Sequence, residues 1–269
     1  MSSFSTMKLN NGLFIPSLGF GTYKISPAQA FASVQHALRA GYRHIDTAMI
    51  YQNESEVGRA IRESGIPREE LFVTTKLWNA DHGNVRSAFD TSLKKLGLDY
   101  VDLYLIHWPV PERIASWKVM ESIADEGLSR SIGVSNFTIR HLEEFLPRAS
   151  ITPAVNQFEF SPFLYQKELL DYCKQKNIIV EAYSPLTRGA RLQDERITAI
   201  AIKHKKSNSQ ILLRWCLQHG TLPLPRSVTP AHIDENLDVF GFSLSGEEMA
   251  ALDSLNENFR VAPDPTHMP

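Results

Sequence analysis

Residues 103–108 read Leu-Tyr-Leu-Ile-His-Trp, an apolar run that ends in an ionisable and an aromatic side chain. Residues 44–48 (His-Ile-Asp-Thr-Ala) and residues 74–78 (Thr-Thr-Lys-Leu-Trp) likewise carry an ionisable residue, Asp46 and Lys76, near the end of a short predicted strand. Short apolar runs of this kind are typical of strands in a parallel sheet that is covered on both faces. Each run therefore predicts a buried strand whose last residues are available for chemistry.

Each of these strands is followed by a helix, and the unit repeats along the chain. Apolar residues recur at helical spacing after each strand, and glycine or proline marks helix ends, as at Pro27, Gly41 and Gly97. The predicted strands lie at residues 18–23, 43–48, 71–76, 101–107, 131–135, 154–158, 178–183 and 222–226. The predicted helices lie at residues 27–40, 54–63, 85–96, 114–126, 139–146, 166–175, 194–219 with a break at 207–208, and 230–239.

Eight such units without a break in composition predict a closed (β/α)8 TIM barrel, an α/β fold in which residues 1–269 form a single domain. An N-terminal β-hairpin is predicted over residues 7–15, with Asn11-Gly12 supplying the positive φ angles of its turn. An extra C-terminal helix is predicted over residues 245–255, where Ser245 and Glu248 form a capping box.

An open, doubly wound sheet is the alternative architecture. Sheets of that kind that bind dinucleotides carry Gly-x-Gly-x-x-Gly after the first strand. Gly19 and Gly21 begin that pattern, but Lys24 stands where the third glycine belongs. The barrel is therefore favoured.

Composition and charge argue against several classes of partner. A net charge of −2 provides no electrostatic reason to expect nucleic acid or an anionic membrane. Residues 1–4 show no basic region before an apolar run, and no apolar stretch is long enough for a membrane span. Cys173 and Cys216 lie in helical segments without metal-ligand spacing, which indicates two buried thiols in a reducing compartment. We expect a cytoplasmic protein, and a monomer because no long exposed apolar face stands out.

The active site of such a barrel lies at the C-terminal ends of its strands, so the residues there form the predicted site. They are ionisable, hydroxyl, amide and aromatic side chains. In strand order they are Thr22 and Tyr23, Asp46 with nearby Tyr51, Lys76 and Trp78, His107 and Trp108, Ser135 and Asn136, Gln157, Tyr183 and Ser184, and Arg226 and Ser227.

Four of these residues form a set suited to protonating a carbonyl oxygen. Tyr51 alone would be a poor proton donor near neutrality, because the pKa of a tyrosine is about 10. The ammonium of Lys76 would favour the phenolate and lower that pKa, and Asp46 would keep the lysine charged and aimed. His107 would orient the carbonyl oxygen by hydrogen bonding. The set therefore predicts general acid catalysis where negative charge develops on oxygen.

Each member of this set also has a purely structural explanation. Asp46 could cap the next helix, Tyr51 could be a loop aromatic, and His107 could be a core histidine with a satisfied ring. Lys76 is harder to dismiss, since lysine is rarely buried without a partner. Four such coincidences at strand ends are much less expected than one, so the catalytic interpretation is preferred.

A second cluster lies where the eighth strand meets its helix. Thr229 is the predicted helix cap and Pro230 lies in the first turn, so free backbone N–H groups would face an anion there. Arg226 adds a fixed positive charge, and barrels often bind phosphate after their seventh and eighth strands. A phosphate-bearing cofactor is predicted across the rim, with an ordinary capped helix as the alternative.

Metal and nucleophilic hydrolase chemistry are both disfavoured. His44 and Asp46 point to the same side of one strand and His107 lies on the same rim, but no His-x-His and no second rim carboxylate occur. Residues 133–136 (Gly-Val-Ser-Asn) lack the second glycine of a nucleophile elbow. No metal is predicted.

Three stretches resemble the signatures of the aldo-keto reductase family, in particular its short-tailed prokaryotic-type members similar to 2,5-diketo-gluconate and methylglyoxal reductases. They are residues 41–48 with Tyr51, residues 132–137, and residues 224–230 followed by Glu235-Asn236. The resemblance covers nearly the whole chain. It implies hydride transfer from NADPH to an aldehyde or ketone.

The resemblance also implies a role for each site residue. Tyr51 would be the general acid, Lys76 and Asp46 would tune it, and His107 would orient the substrate carbonyl. The implied cofactor contacts are Ser135, Asn136 and Gln157 on the nicotinamide carboxamide, Tyr183 on its ring, Ser184 and Leu186 on the pyrophosphate, Arg226, Ser227, Thr229 and His232 at the 2′-phosphate, Glu235 and Asn236 on the adenine, and Gly21, Thr22, Asp46 and Val228 elsewhere along the cofactor. The implied walls of the substrate pocket are Tyr23, Trp78 and Trp108, beside His107.

Two residues depart from the family pattern. Arg226 stands where lysine is usual, which keeps the charge and adds a bidentate fork. His232 stands where arginine is usual; a neutral histidine would hold the 2′-phosphate less firmly, so NADH is expected as a weaker alternative to NADPH. The short segment 109–114 and the brief C-terminal tail predict open pocket edges, which favours small or promiscuous substrates.

Two other functions compete with carbonyl reduction. A cofactor-binding sensor or regulatory subunit could use the same fold, because fold does not determine function. The intact set of Asp46, Tyr51, Lys76 and His107 argues against that alternative. A lyase or isomerase could instead use Lys76 as a Schiff-base amine.

Overall fold

The centre of the fold is a sheet of eight parallel strands that curls into a nearly closed barrel, preceded by a two-stranded antiparallel hairpin. The computed structural model describes residues 5–269; the expectation that no targeting signal is present rests on residues 1–4, which lie outside that range. The strands are β1 (Thr6–Lys8), β2 (Phe14–Pro16), β3 (Phe20–Gly21), β4 (His44–Asp46), β5 (Phe72–Leu77), β6 (Leu103–Ile106), β7 (Ile132–Ser135), β8 (Val155–Glu159), β9 (Ile179–Tyr183) and β10 (Leu222–Leu224). Strands β3 to β10 lie side by side in chain order, so the predicted barrel is confirmed.

Helices alternate with the barrel strands and cover their outer faces. They are α1 (Pro27–Ala40), α2 (Glu54–Arg62), α3 (Val85–Leu96), α4 (Arg113–Asp125), α5 (Ile139–Phe145), α6 (Lys167–Gln175), α7 (Glu195–His204), α8 (Asn208–Gln218), α9 (Pro230–Leu237) and α10 (Gly246–Asp253). The predicted capping box of Ser245 and Glu248 is present at α10. Between residues 5 and 269 no helix is both long and apolar enough to cross a bilayer.

The predicted break in the long helical region of residues 194–219 has a local cause. Lys205 ends α7 in the left-handed conformation, with φ of 52°. Ser207 then starts α8 with a capping box that it shares with Gln210. A left-handed residue stops the helical ladder, and the reciprocal cap satisfies the N–H groups of the next helix.

The barrel closes where β3 meets β10. The backbone N–H groups of Gly19 and Gly21 donate to the carbonyl oxygens of Pro223 and Pro225 at 3.1 and 3.0 Å. A Cβ atom at Gly19 would lie 2.5 Å from the Leu224 side chain and 2.6 Å from His44 Nδ1, so a larger residue would force these side chains to move. The glycines that open a dinucleotide-binding pattern in the sequence therefore serve barrel closure.

The hairpin covers the end of the barrel where the strands begin. The side-chain amides of Asn10 and Asn11 donate to the carbonyl oxygens of Pro153 and Arg130, just before β8 and β7. Of the two turn residues expected to have positive φ, only Gly12 does, with φ of 89°. The expectation for Asn11 is wrong, because the turn has three residues and needs one left-handed position.

The residues that face the barrel interior change from apolar to polar along the strands. Leu103 and Leu105 of β6 belong to an inner apolar cluster, whereas Tyr104 and Ile106 belong to the cluster under the helices. This alternation is the period of two that a strand imposes. The inner cluster fills the lower barrel, and the positions above it hold Asp46, Lys76, His107, Gln157 and Tyr183. The strand ends are thus brought together at one rim.

The two cysteines take no part in this rim. Cys173 and Cys216 are free and buried, as predicted. Burial raises the pKa of the Cys173 thiol to about 12, and burial likewise raises the pKa of Cys216. Neutral thiols of this kind are poor nucleophiles.

Candidate active site

A buried ion pair forms the base of the site. The Lys76 ammonium donates to Asp46 Oδ1 and Oδ2 at 2.7 and 2.8 Å, and to the carbonyl oxygen of Thr47 at 2.9 Å. The sequence places both side chains on inward-facing positions of neighbouring strands, β4 and β5. Every ammonium hydrogen therefore has an acceptor, which is the condition under which a lysine can be buried while charged.

Tyr51 lies directly above this ion pair, with its hydroxyl 3.4 Å from the Lys76 nitrogen. A short 3-10 helix, Met49–Tyr51, carries it. The loop is held by the buried Asn53 amide, which accepts from the Thr47 hydroxyl and donates to the carbonyl oxygens of Thr22 and Ile25. These hydrogen bonds fix the loop that carries Tyr51, and so they fix the position of Tyr51.

The expected lowering of the Tyr51 pKa is wrong for the protein alone. Burial raises the pKa of Tyr51 well above 10.0, and the Asp46 carboxylate adds to this rise. Desolvation penalises the phenolate, and a nearby negative charge penalises it further. Tyr51 is thus a neutral phenol with a proton to donate.

His107 lies beside Tyr51, with ring centroids 5.8 Å apart, and also packs edge-on against Trp78 at 5.3 Å. Burial and the Lys76 charge hold the pKa of His107 well below 6.5. Its buried Nδ1 has no hydrogen-bond partner among residues 5–269. A neutral imidazole at this place can donate one hydrogen bond to a ligand oxygen.

A layer of amide and hydroxyl groups continues the site across β7, β8 and β9. The Asn136 amide donates to the carbonyl oxygen of His107 at 2.9 Å, and its Oδ1 accepts from the Tyr183 hydroxyl at 2.8 Å. The Ser135 hydroxyl donates to the carbonyl oxygen of Gln157 at 2.8 Å. Asn136 has φ of 64°, a left-handed angle that asparagine tolerates better than most residues. The Asn136 amide also donates to the Ser135 hydroxyl at 3.1 Å, so the four predicted residues form one connected group.

One buried residue of the site does not lie at a strand end and escaped the sequence analysis. Glu181 lies in the middle of β9, and its Oε2 accepts from Gln157 Nε2 at 2.7 Å. The same nitrogen donates to Asp46 Oδ2 at 2.8 Å. The available signal was a glutamate inside an apolar strand, on the same face as Tyr183 two residues later.

A cavity of about 1000 Å³ opens above these residues and runs across the rim of the barrel. Of the predicted site residues, all line it except Thr22, Lys76 and Thr229. The Thr22 hydroxyl is buried and donates to the carbonyl oxygen of Asp46 at 2.9 Å. Lys76 lies behind Asp46 and Tyr51, where its ammonium is fully bonded.

The far end of the cavity is formed by the start of α9. Arg226 is exposed there and makes no hydrogen bond or ion pair with any residue from 5 to 269. His232 is also exposed, and the Ser227 hydroxyl accepts from the backbone N–H of Thr229 at 3.0 Å. Thr229 precedes α9 but its side chain does not cap it. This end thus presents a cation and a helix N-terminus to an anion.

Two segments that the sequence analysis did not assign also line the cavity. In the loop after β9, Arg188 has φ of 52° and its guanidinium lies 5.5 Å from the Tyr23 ring centroid. In the tail, Ala262 and Met268 line the cavity, and the N–H of Ala262 donates to the Glu159 carboxylate at 3.0 Å. The tail therefore forms part of one wall of the pocket, where the sequence pointed to no residue.

A metal ion in this site would need several side chains that could bind it together. Within the part of the chain that the structure describes, no three His, Cys, Asp or Glu side chains are arranged to hold a metal ion. Asp46 instead has an ammonium and an amide as partners.

Comparison with known proteins agrees with this architecture. The Aldo/keto reductase family model matches residues 17–257. Glyoxal reductase from Bacillus subtilis (strain 168) is 50% identical over 267 residues, which span 98% of this chain and 97% of that protein.

Solved structures superpose on nearly the whole chain. The aldo/keto reductase from Brucella melitensis is 48% identical with a TM-score of 0.91, covering 94% of this chain and 100% of that one. The Bombyx mori aldo-keto reductase in complex with NADP is 40% identical with a TM-score of 0.94, covering 100% of this chain and 99% of that one.

Proposed function

The chain belongs to the aldo/keto reductase family, and from this premise we propose that it reduces small aldehydes and ketones to alcohols with NADPH. One observation carries the proposal: Asp46, Lys76, Tyr51 and His107 meet at the base of a large cavity, with Tyr51 between the ion pair and the imidazole. A proton donor, a cation behind it and a neutral hydrogen-bond donor beside it are what protonation of a carbonyl oxygen requires.

The residues present fit a phosphorylated dinucleotide. Gln157 Oε1 lacks a hydrogen-bond partner within residues 5–269, which leaves an acceptor free for the carboxamide of a nicotinamide. At the far end, the exposed Arg226 and the start of α9 suit a phosphate group, with His232 beside them. Bound NADPH supplies a hydride equivalent to the carbonyl carbon.

Tyr51 is the proposed general acid. As the carbonyl oxygen gains negative charge it becomes a stronger base than a phenolate, so the Tyr51 hydroxyl can transfer its proton although its pKa is raised. The phenolate that remains forms 3.4 Å from the Lys76 ammonium, which stabilises it. Asp46 holds that ammonium in place through both carboxylate oxygens.

His107 is proposed to orient the substrate carbonyl. Because its pKa is far below 6.5, the ring is neutral at physiological pH and presents one N–H and no charge. A hydrogen bond from this ring to the carbonyl oxygen would bring that oxygen to the hydroxyl of Tyr51. Tyr23 packs against the Tyr51 ring and Trp78 against the His107 ring, which reduces the surface that both rings present to the cavity.

Small carbonyl compounds are the proposed substrates. The walls next to Tyr51 are Tyr23, Trp78 and Trp108, and the tail residue Met268 lines the same cavity. Flat apolar walls around one polar centre suit a compact carbonyl compound. The half-identical glyoxal reductase supports this choice, and short dicarbonyls come first in the test panel.

The alternative functions find less support. A Schiff-base role for Lys76 requires its nitrogen to reach a substrate, but that nitrogen is fully buried and bonded to Asp46 and Thr47. A cofactor-binding sensor would need no proton donor placed as Tyr51 is. Tight NADPH binding without any turnover would favour the sensor.

We propose that the whole chain acts as one domain and as a monomer in the cytoplasm. The eight barrel strands run from Phe20 to Leu224, so no shorter segment closes the barrel. Among residues 5–269 the large exposed apolar side chains outside the cavity include Phe14 on β2, Val119 on α4 and Ile202 on α7, and their position on different elements supports a monomer. The free thiols fit a reducing compartment. Size-exclusion chromatography with light scattering would test the monomer.

A panel of small carbonyl substrates, assayed with NADPH and with NADH, tests the proposed reaction. Tyr51→Phe should lower kcat by at least about a hundredfold while NADPH binding persists, because only the transferable proton is removed. Tyr172→Phe, which removes a tyrosine hydroxyl on α6 outside the cavity, is the control. A Tyr51→Phe enzyme that turns over at nearly the wild-type rate would overturn the assignment of the acid.

A further inference from the structure

Glu181 is an unusual residue for the interior of a barrel. Its side chain is completely buried, and its only hydrogen bond within residues 5–269 is from Gln157 Nε2 at 2.7 Å. The other carboxyl oxygen, Oε1, has no hydrogen-bond partner there and lies 3.8 Å from His44 Nε2. A buried carboxyl with one free oxygen costs folding free energy, so its presence calls for a reason.

The position of Glu181 connects it to the proposed acid. Gln157 Nε2 donates one hydrogen to Glu181 and the other to Asp46, which in turn holds Lys76 below Tyr51. An amide nitrogen has two hydrogens, so both are used. The orientation of the Gln157 amide is thereby determined, and its carbonyl oxygen is left for the cavity.

We propose that Glu181 is a positioning residue of the active site, which orients the Gln157 amide and through it the Asp46–Lys76 pair. The inference rests on the proposed carbonyl reduction and adds a residue that acts from below the rim without touching substrate or cofactor. Two effects follow: Gln157 is pre-oriented toward the nicotinamide carboxamide, and the charge on Glu181 influences how well a phenolate forms at Tyr51.

The charge of Glu181 changes within the working pH range. Burial and the nearby Asp46 carboxylate raise the pKa of Glu181 to about 8, while Lys76 opposes the rise. His44, the remaining titratable group that faces it, is neutral there because burial lowers its pKa to about 3. At neutral pH Glu181 is thus a carboxylic acid, and above about pH 8 it adds a second negative charge beside Asp46. Because Glu181 interacts with Lys76, that charge offsets part of the positive charge that would stabilise a phenolate at Tyr51.

Two substitutions separate orientation from charge. Glu181→Gln keeps an oxygen to accept from Gln157 but cannot ionise, whereas Glu181→Leu removes the acceptor. Asp102→Asn is the matched control: Asp102 is also buried with a raised pKa, but it pairs with Arg68 and Arg130 at the opposite end of the barrel. The readouts are the Kd of NADPH from fluorescence quenching, the pH profile of kcat from pH 6 to 10, and Tm.

We expect wild-type kcat to fall as pH rises through about 8, by up to about tenfold, which corresponds to one pKa unit of interaction. Glu181→Gln should lack this fall and bind NADPH within about twofold of wild type at pH 6.5. Glu181→Leu should weaken NADPH binding by about tenfold, because the Gln157 amide can then rotate. Asp102→Asn should lower Tm and leave both the profile and the Kd unchanged.

A Glu181→Gln profile that superimposes on wild type, or a Kd unchanged in Glu181→Leu, would overturn the positioning role. If Glu181→Leu does not fold, the Glu181→Gln profile and Kd decide alone. If wild type binds NADPH but reduces no carbonyl, the proposed reaction fails, whereas the orienting role is still decided by the Kd values. If wild type binds no NADPH, both ideas are overturned.

Discussion

The Lys76 ammonium lies 2.7 and 2.8 Å from the two carboxylate oxygens of Asp46, and the pair is almost completely removed from water. A buried ion pair gains little over a well-packed apolar pair, but breaking it leaves an unpaired charge in the interior. Removing one partner should therefore cost more stability than removing both charges. The comparison of single and double variants separates the contribution of the pair to stability from its contribution to catalysis.

Lys76→Met should lower the free energy of unfolding by about 3–5 kcal/mol, because Asp46 is left charged and buried without its cation. The double variant Lys76→Met/Asp46→Asn should recover most of that stability, since no unpaired charge remains. Both variants should be inactive, as neither has a cation to stabilise the phenolate at Tyr51. Urea unfolding and NADPH oxidation measure the two effects. A double variant that regains activity with stability would show that the pair is only structural.

The pH dependence of the wild-type enzyme should show no titration of His107 near its ordinary pKa. Because burial and Lys76 hold the pKa of His107 well below 6.5, the neutral ring persists as pH falls from about 7 to about 5.5. We therefore expect kcat/KM to stay flat over this range. A fall with an apparent pKa near 6.5 that disappears in His107→Gln would contradict the neutral assignment.

His232→Arg should tighten NADPH binding by about tenfold and leave NADH nearly unchanged. His232 and Arg226 both line the far end of the cavity, and a second guanidinium there can pair with a phosphate that only NADPH carries. Fluorescence titration with both nucleotides measures the change. Arg226→Gln is the opposite control, expected to weaken NADPH more than NADH. Equal effects on the binding of the two nucleotides would contradict the assignment of the 2′-phosphate to this end of the cavity.

Glu181→Gln should gain stability over wild type as pH rises from about 5 to about 8. The folded protein keeps the Glu181 proton to about pH 8, whereas an ordinary glutamate loses it near 4.5. Between these values the folded state binds more protons than the unfolded state, so wild-type stability falls with rising pH. Glutamine has no proton to lose and escapes this fall. Thermal unfolding of both proteins across the range checks it; a constant difference in Tm would contradict the raised pKa.

Gly19→Ala should destabilise the barrel by about 1–3 kcal/mol. The added methyl group would lie 2.5 Å from the Leu224 side chain and 2.6 Å from His44 Nδ1, at the closing strand pair. Gly241→Ala is the matched control, since a Cβ atom there meets nothing within 4 Å. Denaturant unfolding measures both. Equal stability of the two variants would show that β3 can move away from β10 without cost.

Most of the fold followed from local pattern. The helix predicted over residues 85–96 is observed as Val85–Leu96, and the single break predicted at residues 207–208 is observed slightly earlier, over residues 205–207. Several strands are shorter than predicted, and the first is shortened most, because only Phe20–Gly21 of residues 18–23 pairs as a strand. Its pairing depends on the approach of two glycines to β10, two hundred residues away, which no local pattern contains.

The sequence by itself determined the barrel, the rim and the set of Asp46, Tyr51, Lys76 and His107, because strand periodicity and strand ends are local properties of the chain. Only the tertiary structure decided the charge states. The raised pKa of Tyr51 and the neutral His107 arise from burial among residues far apart in sequence. The tertiary structure also decides the environment of Glu181, because the Gln157 amide that donates to it donates to Asp46 as well. Desolvation and the partners of a buried group depend on all the elements around it, and these are set only when the barrel closes.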